Sequence, residues 1–67
     1  MTTGTVKAVH SESGHGYIAA EDGKEYYFHR TGVKAPLHFD NLFGGERVKF
    51  EIEANAEGPR AVQVTKA

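Results

Sequence analysis

Two short stretches of the sequence concentrate rings: His15-Gly16-Tyr17-Ile18 and Tyr26-Tyr27-Phe28-His29. Side chains of an extended chain alternate between faces, so His15 and Tyr17 share one side while Ile18 points to the other. The same parity sets Tyr27 and His29 against Tyr26 and Phe28. Between the stretches lies Asp22-Gly23, and Asp-Gly flanked by β-rich runs is among the stronger short hairpin signals. A hairpin there gathers His15, Tyr17, Tyr27 and His29 on one face and leaves Ile18, Tyr26 and Phe28 for the core. Rings side by side on an exposed sheet form a platform for unstacked bases, each stacked base being worth about 1–3 kcal/mol. Gly14 and Gly16 would let a flat ligand approach the sheet closely. A plainer reading stands beside this one: half-buried cross-strand aromatics also stabilise hairpins.

Four histidines, His10, His15, His29 and His38, are many for so short a chain, and three of them fall on or beside this face. Imidazoles gain charge near pH about 6.5, which would add a pH-tuned attraction to phosphates, although polar residues on a wet sheet account for them equally simply. A metal site needs a tight cluster of fixed geometry, and nothing in the spacing demands one. Neither metal nor cofactor is expected. The candidate acid–base groups, His29 near Glu25 and His15 near Glu12, are common surface types, and no nucleophile motif, P-loop or HExxH pattern is present. The chain reads as a binding protein without a small-molecule substrate, not as an enzyme.

The elements that must position these side chains are short. Residues 5–10, 15–19, 25–29, 46–53 and 60–65 have strand character and are separated by turn signals. In residues 46–53, Val48, Phe50 and Ile52 are expected on one face, opposite Arg47, Lys49 and Glu51. In residues 60–65, Val62 and Val64 are expected to share a face. Residues 30–45 carry Gly32, Pro36 and Gly44-Gly45 without a clear period, and read as loop with a short helical turn near 31–34. Asn55-Ala56-Glu57-Gly58-Pro59 turns the chain, with Pro59 at a strand entrance where its missing N–H does least harm. Five short strands and one long middle connection predict an all-β fold, a small antiparallel barrel that removes most exposed sheet edges.

Composition agrees. Sixty-seven residues make one domain spanning 1–67, with 8 Lys+Arg against 9 Asp+Glu and a net charge of −1. Val, Ile, Thr, Tyr and Phe number 20 while Leu and Met number 3, which favours strands. A chain of this size buries only about 60% of its unfolded surface, leaving little room for both a core and a deep catalytic cleft. Without cysteine there is no disulfide framework and no thiolate zinc site. The start lacks the basic and apolar regions of a signal peptide, and no apolar run approaches the roughly 18 residues that span a bilayer. A cytoplasmic monomer with no membrane partner is the expectation.

Taken in order, the motifs resemble those of the cold-shock domain family. Gly4-Thr5-Val6-Lys7-Ala8-Val9-His10 is similar to the family's Gly-x-Val-Lys-Trp-Phe-Asn, and Ser13-Gly14-His15-Gly16-Tyr17-Ile18 to its Lys-Gly-Phe-Gly-Phe-Ile. Tyr26-Tyr27-Phe28-His29-Arg30-Thr31-Gly32-Val33 is similar to Val-Phe-Val-His-Phe-Ser-Ala-Ile. Phe39-x-x-Leu42-x-x-Gly45-x-x-Val48-x-Phe50 and Gly58-Pro59-x-Ala61-x-x-Val64 resemble the last two strands, with about one extra residue near Pro36. Each motif is weak alone, but five in the right order cover nearly the whole chain. The resemblance implies a five-stranded Greek-key barrel of the oligonucleotide-binding (OB) type. It also implies single-stranded RNA or DNA as partner, with roles such as melting RNA structure at low temperature.

Carried over position by position, the resemblance assigns nucleic-acid contacts to Lys7, His15, Tyr17, Tyr27, His29, Arg30 and Phe39. It also exposes departures: Ala8 for Trp, Ser13 for Lys, His15 for Phe, Arg30 for Phe, and Glu57 near a usual Arg. His15 still stacks, and a guanidinium lies flat on a base or reaches a phosphate. Ala8 offers no platform. Losing one or two platforms costs roughly 2–5 kcal/mol of affinity, so the expectation is a single-strand binder of reduced affinity. The alternative is a small barrel whose altered face meets another protein, with Phe43, Leu37 and Phe39 as an apolar patch on the long loop; the plainer reading is that these side chains cap the barrel.

Overall fold

A computed structural model describes residues 2–35, 37–54, 56 and 58–67. Five strands, β1 (Thr2–His10), β2 (His15–Ala20), β3 (Glu25–His29), β4 (Arg47–Glu53) and β5 (Arg60–Lys66), close into a barrel in the order β1-β2-β3-β5-β4. Pairing is antiparallel except between β3 and β5, which run parallel and meet at Tyr27/Arg60 and Phe28/Ala61. Among the described residues no helix is long and apolar enough to cross a membrane.

The Asp22-Gly23 hairpin forms as expected. Gly23 takes φ 85°, and its N–H donates to the Ala20 carbonyl at 3.1 Å. Asp22 accepts from the Lys24 amide at 2.9 Å and from the Tyr26 hydroxyl at 2.8 Å. Tyr26 thereby buries its ring while its one polar atom stays satisfied. These two donors hold the Asp22 carboxyl below its ordinary pKa, the Lys24 amide contributing most and the Tyr26 hydroxyl next. The same bond to Asp22 raises the Tyr26 phenol.

Strand β1 begins three residues earlier than its apolar pattern suggests, because Thr2–Thr5 pair with Phe50–Arg47 of β4. Gly4 makes this possible. A Cβ there would lie 2.7 Å from both the Ala19 carbonyl oxygen and the Ile18 side chain.

Inward-facing residues of all five strands fill the core: Val6, Ile18, Ala20, Tyr26, Phe28, Val48, Phe50, Ala61 and Val64, joined by Phe39 and Leu42 from the middle connection. Burying a side chain of Val, Ile or Phe size gains about 1.5–3 kcal/mol, so these few residues carry most of the driving force.

One expectation about faces fails, through a slip in register. Between Lys49 and Glu51 the β4–β5 register slips, so that Gln63 and Val64 both stand opposite Phe50. Gln63 absorbs the extra residue with φ 55°, the left-handed conformation of a β-bulge. Parity along β5 therefore reverses: Ala61 and Val64 are buried, Val62 is only half-buried, and the two valines do not share a face. Ile52 keeps the parity of Val48 and Phe50 and pairs with the buried Ala61, yet it is 44% exposed near the end of β4.

The middle connection holds two 3-10 turns, Arg30–Gly32 and Phe39–Asn41. The first sits one residue before the expected turn, and the second has no counterpart in the sequence reading. Between them Val33 bridges Val64, and the Lys34 amide donates to the Val64 carbonyl at 2.8 Å, tying the connection to the barrel. The expected insertion at Pro36, and Asn55 and Glu57 of the last turn, lie outside the described residues.

Candidate nucleic-acid interface

The outward side of β1, β2 and β3 is ordered in cross-strand rows. One row is His10–His15–His29, and the next is Ala8–Tyr17–Tyr27. The expected patch of His15, Tyr17, Tyr27 and His29 does lie on one face, and His10 joins it. The register of β1 explains how. A bulge at Lys7 shifts the pairing between Val6 and Ala8, so Val6 faces the core against Ile18 while Ala8 and His10 face outward. Pairing backward across the turn at 11–14 sets His10 opposite His15, a relation that the motif count on its own did not use.

The rings are in mutual contact. His15 stacks on Tyr27 with centroids 5.3 Å apart and planes inclined at 28°. Tyr17 stands edge-on to both, 6.0 Å from His15 and 6.1 Å from Tyr27. His10 lies 5.0 Å from His15. Tyr17 is 37% exposed, a large area of open ring for a residue with neighbours on both sides. Tilted and edge-on contacts hold the rings in fixed orientations while leaving faces open.

His29 is turned aside. Its Nδ1 accepts from the Thr31 amide at 3.2 Å and lies 3.0 Å from the Thr31 hydroxyl, capping the first 3-10 turn. Nε2 is the nitrogen left to meet a ligand.

The glycines act differently from expectation. Gly16 points inward, and a Cβ there would come within 2.5 Å of the Ala8 carbonyl oxygen and 2.7 Å of the Phe28 ring. Its missing side chain lets β1 and β2 close over Phe28 and does not serve ligand approach from outside. Gly14 adopts φ 73° to turn the chain, and a Cβ there would press on Arg30 at 3.1 Å.

Phe39 does not reach the patch. It is 6% exposed, edge-on to Phe28 at 6.0 Å, with the Arg30 guanidinium 5.7 Å above its ring. The exposed ring of that connection is Phe43, at 86%. Its segment is held by Glu46, whose carboxylate accepts from the amides of Phe43 and Gly44, both at 2.8 Å. Burial works against the Glu46 charge, but these amides and its own outweigh it and leave its pKa below the ordinary value.

The cations that border the face are engaged. Lys7 Nζ lies 2.6 Å from Glu25, Arg30 lies 3.6 Å from Asp40, and Arg60, the register partner of Tyr27, lies 3.1 Å from Glu53. Exposed pairs of this kind contribute little to stability, about 0–1 kcal/mol. Their larger effect is to cancel the positive field that would otherwise surround the rings. Among the described residues no group of three or more His, Asp or Glu side chains is placed to hold a metal ion. What remains is a contiguous aromatic surface whose bordering cations are paired.

Comparison with known proteins agrees with the motifs. The model of the "'Cold-shock' DNA-binding domain" family matches residues 2–67. A cold shock-like protein, CspLB, of Listeria monocytogenes is 41% identical over 66 residues, covering 98% of each chain. The cold shock protein CspC of Bacillus subtilis is 36% identical over 67 residues, the full length of both chains. The major cold shock protein of Streptococcus pyogenes is 36% identical over 66 residues, covering 98% of this chain and 97% of the relative.

Proposed function

The chain belongs to the cold-shock domain family, and on that footing we propose that it binds single-stranded RNA or DNA by stacking bases on Tyr17, Tyr27 and His15. The observation that carries this reading is the contiguity of the three rings, with centroids 5.3–6.1 Å apart on the outer face of β1–β3. That spacing lets successive unstacked bases settle on neighbouring platforms, and stacking tolerates any base because every base has a π-face. Lys7 and Arg30 supply charge toward the backbone once released from Glu25 and Asp40, and His29 offers Nε2. Phe39 supports Arg30 from below instead of stacking.

Binding of this kind favours unpaired over paired strands and so melts RNA secondary structure, the physical basis of an RNA chaperone. Affinity is reduced by what the face lacks. Ala8 stands opposite Tyr17 with no ring to offer, Ser13 supplies no charge, and the bordering cations are already paired. The protein acts as a monomer and without a cofactor.

Titration with oligo-dT and oligo-U at low salt tests the proposal, and no binding at about 100 µM protein overturns it. The 86% exposure of Phe43 favours a second reading, an apolar contact with another protein. Absence of oligonucleotide binding together with concentration-dependent self-association would support that reading instead.

A further inference from the structure

The end of the aromatic face nearest the 11–14 turn carries two imidazoles side by side. His10 closes β1 and His15 opens β2; they are register partners with ring centroids 5.0 Å apart and planes inclined at 36°. In the family's motifs these positions carry Asn and Phe, and nearby Ser13 stands in place of Lys. One corner of the face has thus exchanged a permanent cation for two rings whose charge depends on pH.

The charged groups around the pair are few and largely spoken for. Lys7 of β1 is bound to Glu25 of β3, Arg30 after β3 to Asp40, and Arg60 of β5 to Glu53. Glu12 sits exposed in the turn itself. His29 is committed by its Nδ1, which accepts from the Thr31 amide, so a second proton on that ring would cost the cap of the first 3-10 turn. His10 and His15 are left as the groups of this face whose charge can change without breaking a contact.

We propose that the His10–His15 pair is a titratable phosphate-binding site, which tightens the hold on a single-stranded nucleic acid backbone as pH falls through the imidazole range. The inference rests on the stacking reading above and adds a regulated second contact to it. Two imidazolium rings 5.0 Å apart repel each other in the free protein. A phosphate at the solvent edge of the two rings would accept from N–H groups of both and offset the repulsion, so proton uptake and strand binding reinforce each other. Bases resting on Tyr17 and Tyr27 would bring the adjoining backbone to this end of the face.

Each cation that neutralises a single-strand phosphate steepens the salt slope by about 0.7, equivalent to about 5-fold in affinity near 0.1 M salt. Two imidazoles therefore have an upper limit of about 25-fold.

The test is a titration of the whole chain with oligo-dT at pH about 8 and about 5.5, at several salt concentrations, with far-UV spectra confirming the same fold at both. The wild type is expected to bind about 10-fold tighter at the lower pH, with a salt slope steeper by about one. The double variant H10N/H15F keeps a ring at 15 and removes both titrating groups, and its affinity is expected to change less than about 2-fold between the two pH values. Wild-type binding at both pH values with less than about a 2-fold difference overturns the phosphate site and leaves the stacking reading intact. A double variant that retains the full pH effect also overturns it, because the charge would then come from elsewhere. No binding at either pH overturns the stacking reading and this inference together.

Discussion

Lys7 and Glu25 form a 2.6 Å ion pair that reaches from β1 to β3 across the intervening strand β2. Lys7 is thus held by a carboxylate on the same face, and under the proposed function a ligand would displace Glu25 before Lys7 engages. Glu25→Gln is expected to raise affinity for oligo-dT about 5-fold near 0.1 M salt and to steepen the salt slope by about 0.7. Fluorescence titration across a salt series reads both quantities. An unchanged slope would mean that Lys7 does not contact the backbone.

The proposed function has Tyr17 and Tyr27 each support a base. Tyr17→Ala and Tyr27→Ala should each weaken oligonucleotide binding by about 1–3 kcal/mol. Both side chains point away from the core, so the variants should still melt cooperatively. Wild-type affinity in either variant would remove that ring from the site.

Ala8 marks a missing platform opposite Tyr17. Ala8→Trp is expected to gain about 1–3 kcal/mol in binding if the rest of the face is competent. Calorimetric titration of the variant beside the wild type measures the gain directly, and no gain would show that the defect lies elsewhere on the face.

Gly16→Ala should destabilise the barrel by roughly 3 kcal/mol, because the new methyl meets the β1 backbone on one side and a core ring on the other. Urea unfolding gives the number. A cost under about 1 kcal/mol would mean that β1 and β2 can part without loss of packing.

Stability should fall in acid through the two carboxylates that cap turns. Asp22 and Glu46 have folded pKa values below their ordinary 3.8 and 4.5. A depressed carboxylate contributes stability above its unfolded pKa and loses it as pH falls through the folded value, so the melting temperature should hold from neutrality to about pH 5 and drop below about 4.5. Glu46→Gln is expected to flatten part of that drop and to cost about 1 kcal/mol near neutrality, a modest figure because the site is partly solvated. An acid limb identical to wild type would show that the loop amides gain nothing from the charge.

The barrel was legible in the sequence because turn chemistry and alternation agree over most of its length. Asp22-Gly23 and the parity of residues 15–18 and 26–29 place both the core and the ring face correctly. What alternation cannot reveal is a slip in register. The bulge at Gln63 reverses the parity of β5, and the bulge at Lys7 lets Val6 face the core while Ala8 and His10 face outward. Both depend on which residues meet across strands, a property of pairs and not of either segment alone. Phe39 is buried as a barrel cap, one of the readings the sequence offered for it; its neighbours Arg30 and Phe28 come close to it only after the chain has folded. Gly16 was correctly marked as special but for the wrong side of the sheet.

Strand β5 pairs with β4 along its length and with β3 at only two residues. It covers two strand borders at once, and its Ala61 and Val64 plug the same opening. A chain that lost it would present two bare β-edges beside an uncovered apolar interior, the arrangement that recruits further copies into aggregates. The parallel seam at Tyr27/Arg60 and Phe28/Ala61 is short enough to be the first place where the barrel unzips, and it borders Tyr27. Under the proposed function, a strand of nucleic acid seated on that ring would therefore act as a clasp, guarding the protein against self-association.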